Sequence, residues 1–140
     1  MSIDQRAAPA AEVERALARI LASDAFHVAQ RQQAFLRFVV TEALAGRGAE
    51  IKETLIATQV YEKRADYDPR IDSAVRVEAS KLRARLAAYY ENDGAADPLR
   101  IVIPKGTYAP AWDLAEAPPK PRLPWKRIAA IHSAAAAIGI

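Results

Sequence analysis

Apolar residues recur at spacings of three and four through the first ninety positions, and near residue 100 the pattern shortens to alternation. The first period belongs to helices that bury one stripe, the second to strands. Val13, Leu17, Ile20 and Leu21 predict an amphipathic helix that begins around Pro9, where a missing N–H costs nothing, and ends near Ser23. A second helix, roughly Val28 to Ala45, spreads Phe35, Leu36, Phe38, Val39, Val40 and Leu44 over a wide arc. Such an arc marks an element buried on more than one side. "GRG" at 46–48 closes it, glycine being suited to a left-handed C-terminal cap. The third helix, "IKETLIATQVYEK", turns Ile51, Leu55, Ile56, Val60 and Tyr61 inward.

"RADYDPRIDS" reads as a loop, because Pro69 drives Asp68 into an extended conformation, and Asp72 or Ser73 can cap the next helix. That fourth helix runs over about 73–91 until "NDG" stops it. Two short strands, Leu99 to Ile103 and Thr107 to Trp112, flank a turn at Lys105 and Gly106, with Pro104 and Pro110 limiting their pairing to a short hairpin. The predicted fold class is mainly α with a C-terminal β-hairpin.

The fourth helix carries the informative chemistry. Val75, Ala79, Leu82, Leu86 and then Tyr89 or Tyr90 form its apolar stripe, while Arg76, Ser80, Lys81, Arg83 and Arg85 occupy the remaining surface. A buried stripe opposite a basic, hydrogen-bonding face fits two situations, a solvated helix or a helix lying in a DNA groove.

Charge bears on that choice. The net charge is +3 over 140 residues, but residues 1–117 hold 16 Lys and Arg against all 17 acidic residues, so the excess sits in the tail. A DNA-binding domain usually has a basic footprint, so only a local patch can support the idea here. The absence of cysteine excludes disulfides and thiolate chemistry. The N-terminus mixes acidic residues into its first twenty positions and has no secretory pattern, which predicts a cytoplasmic domain.

"AEAPPKPRLP" is a stiff proline-rich stretch, so the domain is expected over 10–114, followed by a basic linker over 115–127. "KPRLPWKR" then places four basic residues and a tryptophan ahead of "IAAIHSAAAAIGI", the flank of a membrane helix with its positive side inside. That apolar segment, 128–140, is 13 residues long and at 1.5 Å per residue reaches about 20 Å, short of a ~30 Å hydrocarbon core. It reads as the start of a truncated transmembrane helix that tethers the domain to the inner face of the membrane, or as a peripheral Ala-rich helix.

Three helices, then a basic amphipathic helix leading into a hairpin, match the order of a winged helix-turn-helix with an extra N-terminal helix. From Ile51 onward the chain resembles the DNA-binding domain of OmpR/PhoB-type response regulators, whose recognition helix has the form V-x-V-x-x-x-x-L-R-x-x-L, matched here by Val75, Val77, Leu82, Arg83 and Leu86. The family's wing carries a basic residue and glycine before a tyrosine, and "PKGTY" at 104–108 is similar. The chain departs from the family in beginning with a helix rather than a small sheet, and in placing Glu78 on the surface expected to face DNA.

The stretch from about Val13 to Trp112 also resembles a bacterial domain at the N-terminus of larger, often membrane-tethered proteins with tetratricopeptide or TolB-like repeats, some labelled adenylate or guanylate cyclase. "RQQAFLRFVVTEALAGRG", "IKETLIATQVY", "YDPRIDSAVRVEASKLRARLAAYY" and "IPKGTYAP" carry that likeness. A cyclase activity would belong to neighbouring domains, since no pair of metal-binding carboxylates sits in a suitable frame here.

The resemblance implies a transcriptional regulator that binds double-stranded DNA. Arg76, Ser80, Lys81 and Arg83 would contact bases or phosphates, with Arg85, Arg100 and Lys105 adding backbone contacts. Phosphates would supply most of the affinity, and useful specificity would require a homodimer or tandem half-sites. The alternative is a winged helix that serves as a protein-interaction or signalling module without touching DNA.

Other chemistry finds little support. His27 and His132 lack partners at ligand spacing, and the acids of "RADYDPRID" do not fit a calcium-loop pattern. No nucleophile with its base and no glycine-rich phosphate loop can be assembled, so neither an enzyme nor a cofactor nor a small-molecule substrate is expected. Tyr89, Tyr90, Tyr108 and Trp112 read as packing between the fourth helix and the hairpin.

Overall fold

A computed structural model describes residues 8–63, 66–69 and 72–114. The linker and apolar tail expected over 115–127 and 128–140 lie outside the described residues. Among those described, four α-helices precede a two-stranded antiparallel sheet: α1 (Ala10–Ala22), α2 (Gln30–Leu44), α3 (Glu53–Gln59), α4 (Ala74–Glu91), β1 (Leu99–Val102) and β2 (Ala111–Leu114). None of these helices is long and apolar enough to cross a membrane.

The helix ends obey the local chemistry. Pro9 stands just outside α1 as its N-cap, with extended backbone, and its carbonyl accepts the first helical bonds from Glu12 and Val13. At the end of α2, Gly46 adopts φ +85°, its N–H bonds to Ala43 O and that of Arg47 to Glu42 O, the paired arrangement that satisfies two trailing carbonyls. Ser73 occupies the N-cap position of α4, but the side-chain bond there comes from Asp72, whose Oδ1 accepts from the Ala74 N–H at 2.9 Å. That bond and the Lys63 ammonium at 3.0 Å hold the Asp72 carboxyl below its ordinary range, the lysine being the larger cause.

Two elements are shorter or displaced relative to the sequence pattern. α3 covers seven residues, because Ile51 and Lys52 are extended and Glu62, with φ +55°, has left the helical conformation. β2 begins at Ala111 instead of Thr107. Pro110 cannot donate to a ladder, and Thr107 closes a turn onto the Pro104 carbonyl rather than pairing across the hairpin. The register matches Leu99 with Leu114, Arg100 with Asp113, Ile101 with Trp112 and Val102 with Ala111.

One core joins all the elements. Val13, Ala16 and Ile20 of α1 meet Phe35, Leu36, Val39 and Val40 of α2, Ile56 and Ala57 of α3, the inward residues of α4, and Leu99, Ile101 and Trp112 of the hairpin. α2 lies against α4, and α1 covers β1. The Tyr90 hydroxyl accepts the Ile101 N–H at 2.6 Å, so α4 satisfies a backbone donor of β1 directly.

Candidate nucleic-acid interface

α4 turns Val75, Glu78, Ala79, Leu82, Leu86, Tyr89 and Tyr90 into the protein. Its opposite surface exposes Arg76, Val77, Ser80, Lys81 and Ala84. The seven residues expected to act together divide into three groups.

Arg76, Ser80 and Lys81 lie on the exposed surface of α4. Arg76 is held: its Nη1 donates to Glu53 Oε2 at 2.8 Å. Glu53, the first residue of α3, also accepts from the Tyr67 hydroxyl at 3.0 Å and the Tyr108 hydroxyl at 3.4 Å. One carboxylate thereby ties together α3, the loop before α4, α4 itself and the hairpin connection. Burial, and after it the Glu53 carboxylate, push the Tyr67 phenol up to about 12.

Arg83 and Arg85 point into the protein. Arg83 donates from Nε to Ile103 O at 2.9 Å and from Nη2 to Pro104 O at 3.3 Å and Thr107 O at 3.0 Å. Arg85 donates from Nη1 to Ala25 O at 2.7 Å and from Nε to Gln32 Oε1 at 3.2 Å. Both side chains are half-buried braces, one gripping the hairpin loop and the other the α1–α2 connection.

Arg100 and Lys105 are exposed on the hairpin. The Arg100 guanidinium lies 4.7 Å from the centre of the Tyr90 ring, a cation–π contact. Lys105 sits at the corner of a turn closed by the Thr107 N–H and the Pro104 carbonyl, with Gly106 at φ +88° supplying the positive φ such a corner needs.

Glu78 differs from the sequence expectation. Instead of facing outward it is 6% exposed, hydrogen-bonded to the Gln32 amide and paired with the Arg31 Nε at 2.9 Å. A buried carboxylate persists only when its oxygens are matched, and α2 supplies both partners. The spacing contained this information: residue 78 lies three after Val75 and four before Leu82, squarely on the apolar stripe. Glu53 carried no such periodic signal, because its partners Tyr67, Arg76 and Tyr108 come from three separate segments. Set against protein-family models, curated proteins and solved structures, the chain matches none of them.

Proposed function

We propose that this domain is a winged helix-turn-helix that binds double-stranded DNA, with α4 as the helix that enters the major groove and the β1–β2 hairpin as the wing along the backbone. The observation that carries the reading is the outward surface of α4. Over about two and a half turns it presents Arg76, Val77, Ser80, Lys81 and Ala84 and no carboxylate of its own, because the acid within that span, Glu78, is buried against α2. Small and basic side chains let a helix approach base edges while cations meet phosphates. An 18-residue helix extends about 27 Å, ample to cross a groove roughly 12 Å wide.

In this reading Arg76, Ser80 and Lys81 contact DNA from the helix, and Arg100 and Lys105 contact phosphates from the wing. Arg83 and Arg85 contribute mainly by fixing how helix and wing are presented. Fluorescence-anisotropy titration of the full chain against mixed-sequence duplex at two salt concentrations tests this. Salt-sensitive binding that weakens in the Arg76→Ala/Lys81→Ala variant supports it, and absence of binding at low salt by a folded chain refutes it.

One observation favours a second reading, in which the same surface docks a protein. Val77 is 46% exposed in the middle of that face, and its neighbour Arg76 is already paired with Glu53. A folded chain that ignores duplex DNA would shift the assignment to that interaction module.

A further inference from the structure

We infer that Arg83 is a positioning residue for the hairpin loop, setting Lys105 against a DNA phosphate instead of contacting DNA itself; this rests on the duplex-binding reading above. The three carbonyls that Arg83 holds belong to Ile103, Pro104 and Thr107. Pro104 and Thr107 are the two ends of the turn whose corners are Lys105 and Gly106. One guanidinium on α4 therefore grips both ends of the turn that displays the lysine. Without it the turn itself would be held only through its flanks, Ile103 in the core and Tyr108 on Glu53, since Lys105, Gly106 and Thr107 are exposed.

The geometry demands arginine. A planar fork can serve three carbonyls at once, whereas a lysine ammonium is a point charge on a flexible stem. Holding the loop also limits the freedom that Lys105 would otherwise lose on binding, which is the general advantage of preorganisation. Arg83 thereby makes α4 and the hairpin a single presenting surface.

The test is the salt dependence of duplex binding by the full chain, measured by anisotropy for wild type, Lys105→Ala, Arg83→Lys and the double variant. Each phosphate contact contributes about 0.9 to the slope of log affinity against log salt. Loss of the Lys105 contact should lower the slope by about that amount in Lys105→Ala, similarly in Arg83→Lys although its charge is retained, and no further in the double variant. A wild-type slope in Arg83→Lys, or additive losses in the double variant, overturns the proposal.

Gly106→Ala disturbs the same turn without touching α4, since its φ of +88° is strained for any side chain. It should lower the slope like Lys105→Ala, and an unchanged slope there counts against the proposal even if Arg83→Lys folds poorly. A folded wild-type chain that binds no duplex overturns the reading beneath it, a result distinct from duplex binding with additive slopes.

Discussion

The two sides of α4 use similar residue types for opposite purposes. Inward, Glu78 and Arg85 take part in a hydrogen-bonded network with Arg31, Gln32 and the Ala25 carbonyl, set among Val75, Leu82 and Leu86. Outward, Arg76, Ser80 and Lys81 are exposed, and of the three Arg76 is engaged by the Glu53 carboxylate. Charge by itself therefore does not identify a binding surface. Arg76 apart, what separates the two sides is whether each polar group already has its partner within the protein, and substitutions should divide along the same line.

The largest effect belongs to the inward side. Leu82 is fully buried where α4 meets the core, and Leu82→Ala should destabilise the fold by about 2–5 kcal/mol in urea unfolding. Glu78→Ala should cost about 1–3 kcal/mol, because it strands the buried Gln32 amide, while the exposed Arg31 guanidinium can turn to water. A loss below a few tenths of a kcal/mol would mean that the network is not formed in solution.

Alkaline titration sharpens the comparison. Burial, the dominant cause, pushes the Tyr90 phenol up to about 12. The folded protein then keeps a proton that the unfolded chain releases above its ordinary value near 10, so stability should be intact below that pH and decline as pH rises toward 12. Tyr90→Phe should flatten part of this decline in pH-dependent unfolding. Arg85→Ala is expected to lose about 1–2 kcal/mol from its two hydrogen bonds, with no change in the salt slope of duplex binding.

Lys81→Ala should have the smallest effect on stability, within about 0.5 kcal/mol, while lowering the salt slope of duplex binding by about 1. If Lys81→Ala destabilised the fold as much as Glu78→Ala, the division between the two sides would fail.

The four helices and the hairpin were legible because each had a local signal. Periodic apolar residues marked the helices, "GRG" announced the end of α2, and Asp72 stood ready to cap α4. The displaced second strand was less legible, since Thr107 and Tyr108 have good strand propensity, and Pro110, the turn at Pro104 and the bond of the Tyr108 hydroxyl to Glu53 draw them elsewhere. At the candidate site, the exposure of Arg76, Ser80 and Lys81 came from position relative to the stripe. Glu78 was misplaced by giving its charge more weight than its spacing. Arg83 and Arg85 flank the stripe and look like surface cations until the carbonyls they grip, from segments about 20 and 60 residues away, come into view. Partners that distant leave no periodic trace.

The most direct measurement is a map of backbone amide chemical-shift changes in the full chain as duplex DNA is added. Perturbations concentrated at residues 76–84 of α4 and 104–107 of the hairpin, with the α1–α2 connection around Ala25 left unchanged, are the predicted result. Shifts confined to other surfaces, or none at saturating duplex and low salt, would contradict the assignment of α4 as the DNA-reading helix.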